Sequence, residues 1–321
     1  MHKIRPYVLP IAIVLGLLFH TWCGLIRVIV PYLVFSILLL NFAAVNVKKL
    51  RFSKMDVWLM MYQIVVSIGM YYLLTALNVN EIVAQGVLVG VICPVAASVV
   101  VISCMLGANR ETVTSYTIIG NLMVAVMAPI YFSFIGAHQE ITFLTSFLMI
   151  FKKIGTVIAL PFFVALICQN FLPKVNDFFC KIKGLSFYLW AMALTITLGQ
   201  TIDFMFLEGK ENMSAIIWLG IASVVFCAIQ FGLGKFIGYK YGDIIAGGQL
   251  LGQKNSAMGI WMANTYLNPL SAIYPALYSV WQNLFNSIKL WWHDKRTLPV
   301  ISTGAKRNGD LSEAKAFATG E

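Results

Sequence analysis

The chain has 321 residues, of which 60% are hydrophobic and only 11% are charged. Soluble domains carry about 25% charged residues, so this composition excludes an ordinary soluble enzyme or binding module and indicates an all-α polytopic membrane protein. The net charge of +10 does not indicate a nucleic-acid partner, because the basic residues fall in short loops and in the C-terminal tail, as membrane topology predicts.

Apolar runs of about 20 residues, each long enough to cross a hydrocarbon core about 30 Å thick, recur along the chain. We predict ten membrane-spanning helices, near 7–22, 26–45, 57–77, 82–106, 113–135, 154–171, 185–206, 213–238, 244–266 and 270–292. The apolar stretch 141–151 ends at Lys152 and Lys153 and is too short to span the bilayer, so we predict an interfacial helix there.

These spans divide the chain into four parts. We predict a first repeat of five spans (1–135), an interfacial helix and loop (136–153), a second repeat of five spans (154–292) and a disordered cytoplasmic tail (293–321). Basic residues concentrate in the loops after the second, fourth, sixth and eighth spans and in the tail. The positive-inside rule therefore places both termini in the cytoplasm and the chain in the inner membrane.

Two of the predicted spans are interrupted by helix-breaking or polar residues. The fourth contains Cys93-Pro94, and proline removes a backbone donor and clashes with the preceding turn. The ninth contains the polar segment Gly252–Ser256. Both interruptions fall in the fourth member of a set of five spans, which indicates paired repeats with broken helices at a binding site. Because five is odd, the second set enters from the opposite side, so the repeats are predicted to be inverted.

Lys254 is the charged residue that lies farthest from the ends of any apolar segment. A charge at membrane depth costs at least about 2.5–3.5 kcal/mol, so an intramembrane lysine marks a functional site. We predict that a substrate anion is bound by Lys254, Asn255, Ser256, Ser98 and Gln253. Helix crossing and coupling are assigned to Pro94, Gly252, Thr114, Asn109, Asn121 and Asn283. Hydrogen bonding between helices is the competing interpretation for the uncharged polar groups in these sets.

These segments resemble the bile acid:sodium symporter family. Cys93-Pro94 and the small residues after it resemble that family's Cys-Pro-Gly-Gly segment, and Gly252–Ser256 resembles its Gly-Met-Gln-Asn-Ser segment. The segment Ser279–Asn283 resembles its Ser-Val-Trp-His-Asn segment, and the resemblance extends from about Arg5 to Trp292. It implies a panel domain, a core domain with two crossing helices, and organic-anion uptake driven by sodium through alternating access.

The chain departs from the family at the positions that the resemblance assigns to sodium. Val99 and Val100 stand where the family has Ser and Asn, Leu250 stands where it has Glu, and Lys254 stands where it has Gln. Thr114 keeps a hydroxyl at the matching position of the fifth span. Sodium prefers a cage of oxygen atoms, so sodium binding is doubtful, and we expect no metal site and no cofactor.

We therefore predict a secondary transporter of a small organic anion in which the Lys254 ammonium stands where a sodium ion would sit. Desolvation disfavours the charged amine, so Lys254 could instead load and unload a proton, or it could be a fixed tether for backbone carbonyls. The alternatives are a sodium-coupled symporter with altered ligands and a non-transporting sensor on the same scaffold. An enzyme is not expected, because His20 is isolated in the sequence. Asp203 lies at a span end and is expected to be solvated. The substrate and the oligomeric state remain open.

Overall fold

The structure is a computed structural model that describes residues 8–45, 52–96, 98–135, 142–208 and 210–305. Across these ranges the regular structure is helical, which confirms the all-α prediction. The fourteen α-helices in the described ranges are α1 (Val8–Leu18), α2 (His20–Ile26), α3 (Val30–Ala43), α4 (Lys54–Ala76), α5 (Glu81–Ile92), α6 (Val99–Met105), α7 (Arg110–Ile135), α8 (Phe143–Phe171), α9 (Pro173–Lys181), α10 (Leu185–Glu208), α11 (Met213–Lys240), α12 (Ile244–Gly252), α13 (Ser256–Tyr266) and α14 (Ile273–Ala305).

Six helical segments of the described chain are long and apolar enough to cross a membrane. They are His20–Ala43, Lys54–Ala76, Arg110–Ile135, Phe143–Phe171, Leu185–Leu207 and Met213–Lys240. The first of these includes a single 3-10 turn, Arg27–Ile29, between α2 and α3. A chain with this many apolar helices is a multi-pass membrane protein.

Side-chain caps fix where the helices that surround the interruptions begin. Ser53 and Asp56 form a reciprocal capping box at the start of α4, which satisfies two backbone donors that the helix itself leaves unpaired. The Asn80 side chain caps α5, and the Asp243 side chain caps α12. Asn255 caps α13 by accepting the backbone N–H of Met258 at 3.2 Å. Each cap accepts backbone N–H groups that would otherwise stay unpaired at the helix start.

Glycines let α11 pack closely against α12. A Cβ atom built at Gly234 would lie 2.3 Å from the backbone oxygen of Gly247, and one built at Gly247 would lie 2.3 Å from the oxygen of Gly234. Small residues at such contacts allow membrane helices to approach backbone to backbone. This contact holds α12, which carries the second interruption, firmly against a long spanning helix.

The prediction of a separate interfacial helix at 141–151 is wrong. From Phe143 the chain forms one continuous helix, α8, that runs through Lys152 and Lys153 to Phe171; residue 141 lies outside the described residues. Lysine is a good helix former, and a long basic side chain can keep its charged end in a polar environment while its stem packs on apolar surface. The two lysines therefore do not end the helix. A short helix that the sequence did not predict, α9, follows α8 at Pro173–Lys181.

The C-terminal tail is also more ordered than predicted over its first residues. α14 continues to Ala305, so residues 293–305 are helical, because extending an existing helix is far easier than starting one. Residues 306–321 lie outside the described residues. The compact unit that contains the two interruptions ends at Gln282, and a second unit begins at Asn283.

Candidate functional site

The two interrupted helices meet at their interruptions. α5 ends at Ile92 and the helix resumes as α6 at Val99, while α12 ends at Gly252 and the helix resumes as α13 at Ser256. Between them, Val95 and Lys254 form an isolated antiparallel bridge. Its two hydrogen bonds run from Ala96 N–H to Gln253 O, 3.2 Å, and from Asn255 N–H to Pro94 O, 2.7 Å. Each break therefore satisfies part of the other's backbone, as buried non-helical backbone in a membrane protein must.

Lys254 lies at this crossing and is only 2% exposed. Its Nζ donates to the carbonyl oxygen of Val91 at 3.0 Å. Val91 is in the last turn of α5, where the final carbonyls of a helix have no intrahelical partner and carry partial negative charge. The lysine side chain of the second interruption thus donates to a carbonyl at the end of the first broken helix. An ammonium has three donors, and Val91 O is the acceptor found for it within the described part of the chain.

In each break, the middle backbone N–H donates a hydrogen bond to a side chain of a helix that follows in the sequence. Val95 N–H donates to Oδ1 of Asn121 on α7 at 3.1 Å. Lys254 N–H donates to Oε1 of Gln282 on α14 at 2.8 Å. In both cases a buried amide side chain, on a helix that comes after the broken pair, accepts the middle N–H of the break. The two crossing segments therefore share the same type of hydrogen bond at their centres.

Two further side chains, which were not among the predicted site residues, donate to carbonyl oxygens of the two breaks. Gln63 on α4 donates through Nε2 to Ile92 O at 2.9 Å and to Cys93 O at 2.7 Å, and its Oε1 accepts from Tyr116 at 3.2 Å. Tyr278 on α14 donates to Gly252 O at 2.8 Å. An amide or hydroxyl residue within an apolar span is the sequence signal that could have identified Gln63 and Tyr278. This signal does not specify which helix supplies the group to a given break.

Three of the four positions where the chain departs from the family's sodium ligands have apolar side chains that pack together. Val99 and Leu250 are fully buried in one apolar cluster, which also contains Val95 and Val113, and Val100 packs against it. These side chains offer no oxygen to a cation. The side chains present do not fit a sodium ion at these positions.

The other residues predicted to bind substrate are distributed around the crossing. Ser256 is buried and its Oγ accepts from Gln282 Nε2 at 3.3 Å. Asn255 uses its side-chain oxygen to cap α13. The Gln253 amide donates to the side-chain oxygen of Gln249, one turn back on α12. Ser98 is exposed and comes immediately before α6, with no side-chain cap bond.

The residues assigned to crossing and coupling divide into two groups. Pro94 and Gly252 contribute backbone oxygens at the crossing, as described above, and Asn121 contributes its amide. Asn109 is exposed, caps α7 by accepting the N–H groups of residues 111 and 112, and donates its own N–H to Asp243 at 3.1 Å, so it lies at a helix start and not at the crossing. Thr114 is half-buried on α7, and Asn283 is the first residue of the second unit.

The fold and this crossing define a class: a multi-pass membrane protein with two interrupted helices that meet inside the bundle. Comparison with protein families matches residues 31–208, more than half of the chain, to the Sodium Bile acid symporter family. The chain belongs to this family, whose members are membrane transporters, and the predicted resemblance is confirmed. The matched segment includes the first interruption and ends within α10, before Lys254. A search of curated proteins finds no match.

Proposed function

We propose that this protein is a secondary transporter that carries a small organic anion across the inner membrane by alternating access, without sodium at its family's usual positions. The observation that supports this most directly is the contact between the Lys254 ammonium and Val91 O at the end of α5. In transporters of this kind, half-helix C-termini and unwound carbonyls coordinate the coupling cation. Here a covalently fixed cation occupies such a helix end.

The ten-span inverted repeat is part of the proposal. It assigns residues 1–135 and 154–292 to two repeats of opposite orientation, with α5–α6 and α12–α13 as the crossing helices and both termini in the cytoplasm. The matching roles of Asn121 and Gln282 support it, since each accepts the middle N–H of a break from a following helix. Rocking of one bundle against the other around the crossing would then expose the site to alternate sides.

We place the substrate anion beside the Lys254 ammonium, with Asn255, Ser256, Gln253 and Ser98 as further polar groups around it. One Lys254 donor is used by Val91 O, which leaves donor capacity for an anionic oxygen. The ammonium is buried in this conformation, so an anion reaches it only when the bundle opens toward one side. A fixed positive charge both neutralises the helix end and attracts an anionic group.

Counterflow in proteoliposomes tests this function. Proteoliposomes that contain the purified protein are loaded with unlabelled succinate, isethionate or taurocholate, and entry of the corresponding labelled anion is measured. We expect counterflow of at least one of the three probes, at the same rate in sodium and in choline buffers. A rate that rises steeply with an imposed sodium gradient would instead show a sodium-coupled symporter with altered ligands, and absence of counterflow for every probe would favour a sensor.

A matched pair of lysine variants shows whether the effect is specific to the crossing. Lys254→Gln introduces the amide that the family resemblance predicts at this position, whereas Lys183→Gln alters an exposed lysine in the turn before α10. We expect Lys254→Gln to lower counterflow by about tenfold or more, since a hydrogen bond to a charged group contributes about 1.5–3 kcal/mol. Lys183→Gln should match the unmodified protein.

A further inference from the structure

A histidine and an aspartate form an ion pair in a part of the bundle away from the crossing. His20 Nδ1 lies 2.7 Å from Asp203 Oδ1, and the two side chains are 28% and 27% exposed. His20 is isolated in the sequence, but the fold brings it against Asp203, 183 residues further along the chain. Asp203, which we predicted to be solvated, is therefore paired and only partly exposed.

Helix packing sets the register of this pair. Gly16, His20 and Gly24 are spaced four residues apart and therefore lie on one face of the α1–α2 segment. Gly199 and Asp203 have the same spacing on α10. A Cβ built at Gly16 would lie 3.0 Å from the Gly199 nitrogen, and one built at Gly24 would lie 3.7 Å from Asp203 Oδ2. The close approach at the glycines places the imidazole directly against the carboxylate.

Apolar residues flank the pair on both helices, although the pair lies toward one end of the candidate spans: Asp203 is four residues before the end of Leu185–Leu207. Arg27 follows His20 by seven residues, which corresponds to about 10–11 Å along a helix. Trp22 and Leu25 on α2, and Leu207 on α10, are exposed on the outside of the bundle, as lipid-facing residues are. Ionisable residues in apolar membrane-facing surroundings are rare and mark ion or proton pathways.

We propose that the His20–Asp203 pair binds the proton that drives transport, an inference that rests on the proposed function. In the unloaded pair, Nδ1–H of neutral His20 donates to ionised Asp203, which fixes the tautomer and leaves Nε2 as the basic site. A proton from the outer solution binds Nε2, so the pair changes from a net charge of −1 to zero. The proton leaves to the inner solution later in the cycle. One proton moving with one monovalent anion transfers no net charge.

Few other titratable groups are available on the elements that pack around the pair. α1 has none, α2 contributes the Cys23 thiol, which donates to a carbonyl oxygen of α10 at 3.8 Å, and the 3-10 turn contributes Arg27. α3 contributes Tyr32, and α10 contributes Tyr188 and its last residue, Glu208. Within the pair, Nε2 of His20 is the nitrogen that can accept a proton while Nδ1–H still donates to Asp203.

Driven accumulation, compared with counterflow, tests the proposal. Proteoliposomes with an imposed pH gradient, acidic outside, receive labelled succinate, isethionate or taurocholate. We expect the unmodified protein to accumulate the probe that it carries in counterflow. His20→Gln and Asp203→Asn should keep counterflow but lose accumulation. Asp177→Asn, which alters an exposed carboxylate on α9, should accumulate like the unmodified protein.

The comparison of two rates separates coupling from a structural role. If both pair variants accumulate the probe like the unmodified protein, or lose counterflow and accumulation in proportion, the proposal is wrong. The exchanged variant, His20→Asp with Asp203→His, keeps both groups and should recover accumulation in part. If the unmodified protein shows no counterflow, the proposed function is wrong, and the proton assignment fails with it. If it shows counterflow but no accumulation driven by the pH gradient, only the proton assignment is wrong.

Discussion

Gln282 holds the backbone of Lys254 from both sides. Its Oε1 accepts the Lys254 N–H at 2.8 Å, and its Nε2 donates to the Lys254 carbonyl oxygen at 3.1 Å. One buried amide therefore satisfies both backbone groups of the residue whose side chain reaches across to α5. The position of the ammonium depends on this backbone being fixed, so Gln282 acts on Lys254 as a positioning residue.

We expect Gln282→Leu to destabilise the protein, because it leaves the buried Lys254 N–H without a partner. It also removes one of the two donors to the Lys254 carbonyl oxygen, which keeps the N–H of Ser256. Each unsatisfied buried group costs about 1–3 kcal/mol. Gln230→Leu is the matched control: Gln230 is also fully buried, but neither of its amide atoms has a partner in the described chain. That change should be neutral or stabilising. Thermal unfolding of both variants in the same micelles measures the difference, and equal destabilisation would contradict the role of Gln282.

Lys254→Met should separate transport from stability. Removing the buried charge relieves a cost of about 2.5–3.5 kcal/mol, whereas leaving Val91 O unpaired costs about 1–3 kcal/mol. These effects oppose each other, so the free energy of unfolding should change little, while counterflow should fall by about tenfold or more. A variant that keeps full counterflow would show that the ammonium serves only as a structural tether for α5.

Gly234→Ala should weaken the contact between α11 and α12. The added Cβ would meet the Gly247 oxygen at 2.3 Å, and overpacking of this kind costs about 1–3 kcal/mol. Gly232→Ala, two residues earlier on the same helix, meets nothing within 4 Å. It should be neutral or stabilising by up to about 1 kcal/mol, since alanine is the better helix former. Unfolding midpoints of the two variants provide the comparison, and similar losses would argue against the close packing.

Cysteine labelling tests the proposed topology. The hydrogen bond from Asn109 N–H to Asp243 places the loop before α7 and the loop before α12 at one end of the bundle. After replacement of the six free cysteines, Ala108→Cys and Tyr241→Cys should both be protected from an impermeant maleimide applied to the periplasmic side. Lys210→Cys, between α10 and α11, should be labelled. Labelling of the first two sites from the periplasm would reverse the orientation that we predict.

Some features of this site could be predicted because they are local in the sequence. Pro94 lacks an N–H, and the glycine and amide groups around Lys254 weaken a helix wherever they occur in an apolar run, so both interruptions are visible without any tertiary information. Lys152 and Lys153, by contrast, do not show from the sequence whether a helix ends or continues. A charged pair is compatible with the end of an apolar helix and with the middle of a long one, and α8 continues through it.

Composition and hydropathy by themselves determined that this chain is a helical, multi-pass membrane protein with two broken spans and one deeply placed lysine, since each of these follows from residue types along a single segment. Only the tertiary structure decided which groups the breaks face. Lys254 reaches a carbonyl 163 residues away, and His20 meets a carboxylate 183 residues away. Such contacts depend on how helices cross, and helix packing is set by the shape of whole surfaces that no local pattern records.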